Sequence, residues 1–536
     1  MVAEVNSTNW RAVGGKMDLA VQAKGLSSAP SRLAPQESMP AAAQPVAPST
    51  GLGFWMHRVL EECDRVSAEF APDPVHDLRV ALRRCRSLAD GLMAMDPDPG
   101  WKRMKKSGKR LFQALGSLRD LHVMEEWVGR LAAPGDPATV RLLQGFAVRV
   151  AGLKEQSAQA LQAFDGKQWR RWSNVLPRRA ARVRPGSLLF RHLALERWTD
   201  AYALHGRALR NHSQVSWHQL RIAIKRFRYV VENFLPAQHA AWSQDLKEMQ
   251  DLLGEVHDLD ILWAVVREAS PFSDADAEIR WRTVIRGERE LRIKKYRARM
   301  LGKMNLWQVW RAELPHGKEI EEAGQRRLRL WASFLDPDWR HSSHVTRLAL
   351  QLYDGFAPTG KARRGTEGDP REILRLAALL HDVGMSSHEK RHHKATYRLI
   401  RGLASPVGIP SHDLEVAAAV ARYHRGALPR TGQKVLRSLS PEQQREVQRL
   451  AGILRLANAF DASRDGRIRR VEVHRHNGFF VVGAEGYSAR DGQAETIASG
   501  RHLLEVLLRR PLLIRPLRAK PRQSIESKTK QLKAKS

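Results

Sequence analysis

Around His76 to Leu92 the polar and apolar positions separate onto opposite sides of a helix. At about 100° per residue, Leu78, Leu82, Cys85 and Leu92 share one side, while His76, Arg79, Arg83 and Arg86 crowd into roughly a quarter of the circumference opposite. The same separation recurs later, with Leu220, Ile224, Phe227, Val231 and Phe234 as the apolar stripe and His218, Arg221, Lys225 and Arg228 among the polar positions. Each segment predicts a helix with one face for a core and one for an anion.

The two segments are a repeat. His76-Asp-Leu-Arg79-Val-Ala-Leu-Arg83-Arg84-Cys-Arg86 returns as His218-Gln-Leu-Arg221-Ile-Ala-Ile-Lys225-Arg226-Phe-Arg228, every cation in register. Each is trailed by an echo: Leu115-Gly-Ser-Leu-Arg119-Asp120 corresponds to Leu253-Gly-Glu-Val-His257-Asp258, and Lys109 matches Lys247 at the same offset. A duplicated helical unit is expected to fold as two similar bundles about a pseudo-twofold axis, bringing the basic faces together as a channel for a polyanion. The plainer alternative is a solvated basic face. Against it, only Asp77 interrupts the first run of cations, and no acid interrupts the second before Glu232.

Charge points the same way. The 536 residues carry 90 Lys and Arg against 57 Asp and Glu, a net charge of +33, which calls for an acidic partner. Nucleic acid is the rival ligand, yet zinc-finger spacing and an RNP aromatic motif are missing and aromatic residues make up only 7%. Nonspecific nucleic-acid binding at low salt is still expected.

On these motifs, residues 51–312 resemble the CHAD family, the conserved histidine alpha-helical domain, with halves at about 51–165 and 195–312. The resemblance implies two four-helix bundles around a basic pore that binds inorganic polyphosphate. It implies contacts from His76, Arg79, Arg83, Arg84 and Arg86, and from His218, Arg221, Lys225, Arg226 and Arg228. Lys105, Lys109, Arg119 and Lys247 on neighbouring helices are further candidates. A ligand with one charge per phosphate and no bases needs repeated cations and no stacking platform, and arginine forks suit its oxygens. His257 stands where the first half has Arg119, so the two halves need not bind equally.

A second functional region begins near residue 320. His344, His381-Asp382 at the end of the apolar run from Ile373 to Leu380, His424 and Asp461 each begin or follow a helical apolar pattern, so they can converge inside an all-helical bundle. His344, His381, Asp382 and Asp461 make an H…HD…D ligand set for a divalent ion, Mn or Mg, with His381 and Asp382 as the catalytic pair. Residues 326–516 resemble the C-terminal half of the exopolyphosphatase and guanosine-pentaphosphate phosphohydrolase family, which contains an HD-type helical domain. The carrying segments surround His381-Asp-Val-Gly-Met385, His392-His393-Lys394, Tyr423-His424-Arg425-Gly426 and Arg455 to Arg464, and continue through a hairpin in Val471 to Val482 turned by Asn477-Gly478 and an amphipathic helix near Ala498 to Leu508. That family's phosphatase chemistry resides in an N-terminal half with no counterpart here, so its exopolyphosphatase activity is not carried over. Hydrolysis by the HD metal site itself is the surviving possibility, with His393 and His424 as candidate ligands of a second ion, or as phosphate-binding or core histidines. Met385 stands where many active HD hydrolases carry lysine.

The fold expected is mainly α: duplicated four-helix bundles, an all-helical HD domain over 320–465, and a small α+β domain over 466–516. Residues 1–50, rich in Ala, Pro and Ser, are expected to be disordered, without secretory signal or membrane anchor, and 517–536 to form a basic disordered tail. The basic stretch from Trp169 to Gly186 reads as a linker between the halves that can add cations at the pore mouth. Two cysteines, Cys63 and Cys85, fit a reducing cytosol, with polyphosphate granules as an extension of that location. Glu319-Ile-Glu321-Glu322 lacks the strand series of a triphosphate tunnel hydrolase. Two functions stay open: a polyphosphate-binding protein with a silent HD domain, or a metal-dependent phosphohydrolase acting on polyphosphate or phosphorylated nucleotides such as guanosine tetraphosphate or pentaphosphate.

Overall fold

Prolines and short acids mark where the helices begin. Asp98, Asp136 and Asp369 each precede a proline, and their carboxylates accept the N–H groups of Gly100, Ala138 and Arg371 in the helix that follows. Ser440 and Gln443 close a reciprocal capping box. In the computed structural model, residues 51–517 are described, apart from 69, 273, 357–367, 388 and 491; the expectations for 1–50 and for the tail beyond 517 lie outside the described residues.

The first half of the duplication comprises α1 (Leu52–Ala68), α2 (Pro72–Leu92), α3 (Pro99–Ser107), α4 (Lys109–Leu131) and α5 (Pro137–Gln162). The second comprises α7 (Leu188–Asn211), α8 (Gln214–Phe234), α9 (Pro236–Ala269) and α10 (Ala275–Met300), followed by α11 (Leu306–Ala312). Between them the expected linker is largely a helix, α6 (Gly166–Ala180), because Trp169 buries its ring against α1 and donates its indole N–H to the Met56 carbonyl at 3.0 Å. Two of the arginines of this stretch are engaged elsewhere: Arg179 pairs with Asp96, and Arg182 donates to Ser333 Oγ at 3.0 Å.

The apolar stripes of α2 and α8 are fully used. Leu78, Leu82, Cys85, Leu220, Ile224 and Phe227 have no exposed surface, and burying each large one contributes about 1.5–3 kcal/mol. One core runs through both halves, including Trp101, Trp169, Trp217, Trp307 and Trp310. A second, formed by Leu121, Trp127, Phe146, Leu259, Val266 and Trp281, ties α4 and α5 to α9 and α10. Where α2 meets α8, a Cβ on Gly91 would lie 2.3 Å from the Phe234 ring, so only glycine admits this close approach.

The C-terminal half has its own core. It comprises α12 (Lys318–Ser333), α13 (Trp339–Phe356), α14 (Pro370–Leu380), α15 (His392–Arg401), α16 (Ser411–Arg422) and α17 (Pro441–Ala459), then β1 (Arg470–Arg475), β2 (Phe480–Glu485), α18 (Ala494–Leu508) and β3 (Leu512–Pro516). The β1–β2 hairpin turns at Asn477-Gly478, with Gly478 at φ +95°, and β3 returns parallel to β2 after α18. Glu319, Glu321 and Glu322 lie on α12, a helix and not a strand. A buried polar cluster joins the halves: Arg327 on α12 pairs with Glu196 on α7 at 2.6 Å and donates to His192 Nδ1 at 2.9 Å, and His192 Nε2 donates to the Val407 carbonyl at 2.8 Å. Among the described residues, no helix is long and apolar enough to cross a membrane.

Candidate functional site

Where α2 meets α8, cations gather beside α4 and α9. Arg79 lies over the Phe112 ring, its Nη1 buried with no hydrogen-bond partner, and Gly116 leaves it room, since a Cβ there would stand 3.1 Å from that nitrogen. Burial, then the charges of Arg221, Arg83 and Arg79, brings Lys225 down to about 8. Four cations from two helices thus share one electrostatic neighbourhood, and repulsion among them favours an anion. Asp120 and Asp258, from the two trailing echoes, supply the negative charge beside them: burial pushes Asp258 up to about 6 and raises Asp120 as well, the nearby cations opposing.

The two signature histidines differ. His218 Nδ1 stands 3.2 Å from His257 Nδ1, and burial, then Arg221 and His218, lowers His257 to about 4. His76 is 69% exposed and touches Asp77 at 3.3 Å. Of the remaining predicted contacts, Arg119 stays within reach of Arg79 and Asp120, and the others are spread more widely. Arg84 turns to Glu232 at 2.6 Å and lies over Trp55, and Arg119 pairs with Glu126 at 3.1 Å. Arg86 donates to the Lys105 carbonyl at 2.9 Å, while the Lys105 ammonium meets Asp90. Arg228 and Lys247 flank Asp251, Lys109 is exposed at the start of α4, and Arg226 faces a different cavity from Lys225.

The second site is a buried knot of histidines around Asp382. His381 gives its Nδ1 proton to the Ala378 carbonyl, His392 to Glu389 and His424 to Ala421, each at 2.7 Å. Every Nε2 is therefore a lone pair, and the three lie 3.5, 3.3 and 3.8 Å from Asp382 Oδ1. His381 Nε2 is buried with no partner. Thr396 Oγ1 fixes the turn by donating to the His381 carbonyl at 2.9 Å and accepting the Gly384 N–H at 3.0 Å. Burial holds the His381 and His424 imidazoles below their ordinary range. Burial also opposes ionisation of Asp382, yet the carboxyl is held well below the usual range, and the Arg464 guanidinium 2.8 Å from Oδ2 favours its ionised form.

A second triad shares the same carboxylate: His341, His381 and Asp382. Asp461 Oδ2 accepts from His341 Nδ1 at 2.7 Å, and His341 Nε2 stands 3.0 Å from Asn458 Oδ1 and 3.9 Å from Asp382 Oδ2. The expected ligand set is thus partly redrawn. His381, Asp382, Asp461 and His424 come together, but His341 stands where His344 was expected and His392 where His393 was. The predicted pair lie beside the cluster but outside both triads: His344 accepts from Arg347 at 2.7 Å within reach of the Asp461 charge, and His393 faces Gly426 amid Arg422, Arg425 and Lys394, its ring 6.0 Å from that of His392. Two triads of buried imidazoles that share the Asp382 carboxylate, with the unpartnered His381 Nε2 common to both sides, fit one or two divalent ions.

Comparison with known proteins agrees with the two-part organisation. Residues 56–267 match the family model of the CHAD domain, and residues 328–479 that of Ppx/GppA phosphatase, domain III. A crystal structure of the CHAD domain from the plant Ricinus communis is 23% identical, covering 51% of this chain and 96% of that one, with a TM-score of 0.33. No curated protein matches. The chain joins a CHAD domain to a domain III of the Ppx/GppA phosphatase type.

Proposed function

We propose that this protein binds inorganic polyphosphate in the channel between α2 and α8, and that its His/Asp cluster is a divalent-metal centre that cleaves phosphoanhydride bonds. The observation that carries the binding reading is the gathering of Arg79, Arg83, Arg221 and Lys225 from two duplicated helices, with the Arg79 Nη1 unpartnered. A linear polyanion matches such a set without any base-reading element. For hydrolysis, the supporting observation is the facing Nε2 lone pairs around Asp382, an arrangement that a cation stabilises.

His341, His381, His392, His424 and Asp382 would hold the metal, which supplies Lewis acidity toward a phosphoryl oxygen. Asp461 positions His341, and Thr396 positions His381. Arg422, Arg425 and Lys394 around His393 give the approach a positive potential suited to a phosphate ester or anhydride.

The test is to incubate the full chain with Mn²⁺ and long-chain polyphosphate near physiological salt, scoring retained chain and released phosphate together, with duplex DNA as competitor. Retention resistant to DNA, with phosphate release lost in His381→Ala, is the expected result. Retention without release reduces the protein to a binder with a silent metal cluster. Easy displacement by DNA overturns the polyphosphate reading.

A further inference from the structure

The cationic stripe of α2 does not end at the channel. Arg86, two turns beyond Arg79, lies over the same Phe112 ring, the two guanidinium carbons 5.2 and 5.6 Å from its centroid. On α8, Lys225 lies over the ring of Tyr229 at 5.8 Å. Arg86 and Tyr229 also line a cavity of about 930 Å³ formed by the C-terminal end of α2, by α7 and α8, and by the 402–407 loop that follows α15 in the C-terminal half. Channel and cavity are therefore adjacent, with Phe112 and Tyr229 at their junction.

The cavity's charges are unevenly satisfied. Lys105 is paired with Asp90, Arg197 with Asp200 and Arg327 with Glu196. Arg86 donates to a backbone carbonyl and shares the charge of Asp90 with Lys105, and Arg226, exposed on α8, forms no ion pair among the described residues. An unpaired Arg226, with Arg86 and Lys105 dividing a single carboxylate between them, leaves the cleft with excess positive charge that suits a phosphate-bearing ligand. The opposite wall leads into the metal cluster's own support, since α15 carries His392 at its first residue and ends at Arg401, immediately before this loop.

We propose that this cavity receives the end of the phosphate chain held by the channel, so that bound polyphosphate spans both domains. The inference rests on the reading of the channel as a polyphosphate site. Arg226 and Arg86 then act as the last cations of the track, and the 402–407 loop is its terminus.

Cysteine protection tests this. Cys63 and Cys85 are buried, with burial pushing Cys63 up to about 12, so a cysteine at the exposed Ala404 is the thiol that reacts with maleimide. In Ala404→Cys, long-chain polyphosphate should slow alkylation by about tenfold or more at saturation, while orthophosphate at the same total phosphate should not. Adding Arg226→Glu should cost about threefold to tenfold in long-chain affinity and abolish the protection. Polyphosphate that binds without protecting Ala404→Cys, and binds Arg226→Glu as tightly as the parent, overturns the extension and leaves the channel standing. Equal protection by orthophosphate also overturns it, since it indicates an independent anion pocket. Absence of binding in every variant overturns the channel reading and this inference with it.

Discussion

Nε2 of His392 lies 3.1 Å from Nε2 of His424, and neither nitrogen has a proton to offer the other, because both rings give their Nδ1 protons to backbone carbonyls. Two lone pairs at hydrogen-bond distance repel, and the contact is stable when a cation stands between them and Asp382. His392→Ala and His424→Ala should therefore each lower Mn²⁺ affinity by about 10-fold to 100-fold, read by calorimetry or by the metal-induced rise in Tm. His393→Ala, beside His392 but facing Gly426, should leave the affinity within about twofold of the parent.

Gly384 gives an independent handle on the same site. A Cβ there would lie 2.3 Å from the His392 carbonyl and 2.5 Å from the Thr396 nitrogen, both backbone atoms that cannot step aside. Gly384→Ala should cost about 1–3 kcal/mol in denaturant unfolding and weaken metal binding, because α15 must shift and take His392 with it. Unchanged metal affinity in this variant would separate His392 from the site.

In the channel, the prediction turns on which arginines are free. Both Arg79 Nη1 and Arg84 Nε are buried without a hydrogen-bond partner, but Arg84 is also paired with Glu232 and lies over Trp55, whereas Arg79 forms no ion pair among the described residues. Arg79→Ala should weaken polyphosphate binding and reduce the slope of log K against log salt by about one unit. Arg84→Ala should leave that slope unchanged and instead lower stability by about 1–2 kcal/mol. Titration of binding against salt, beside unfolding curves for both variants, distinguishes the roles.

The basic faces of α2 and α8 are more legible in the sequence than the His/Asp cluster, for a physical reason. Amphipathic separation on α2 and α8 is a local property, so the face of Arg79, Arg83 and Lys225 can be read from spacing. Arg84 and Arg226 each sit one position past a channel cation, about 100° round the helix, and only tertiary packing assigns them to Glu232 and to the interdomain cavity. His344 and His393 suited the motif equally well by order along the chain. The discriminating signal was present in the periodicity: His341 shares a face with Val345, Leu348 and Leu352, and His392 with Ala395, Thr396 and Ile400, all buried. Arg464 had no local signature, since its role depends on a left-handed backbone at φ +57° that carries the guanidinium between Asp338 and Asp382. The stretch around Trp169 looked like a linker because its prolines and arginines outweigh its apolar positions, yet one buried indole is enough to seat it as α6.

The titrating groups along the proposed channel set the pH response expected of it. Lys225, brought down to about 8 chiefly by burial, carries its charge below that pH and loses it above, so affinity for a polyanion should fall as pH rises through about 8. Asp258, raised to about 6 by burial, is ionised above that pH and neutral below, and Asp120 is shifted in the same direction. Protonating them removes negative charge from beside Arg221 and Arg79, so affinity should climb as pH falls through about 6. Binding should accordingly form a plateau between the two limits, each proton contributing at most about tenfold per pH unit outside it. Asp258→Asn should flatten the acid limb and tighten binding at neutral pH, while Lys225→Arg should remove the alkaline limb and leave the acid one. A pH series of polyphosphate affinity from 5 to 9 at constant ionic strength measures both. If the parent and Asp258→Asn gave the same profile, Asp258 would lie outside the electrostatic reach of the bound chain, and the channel floor would have to be drawn elsewhere.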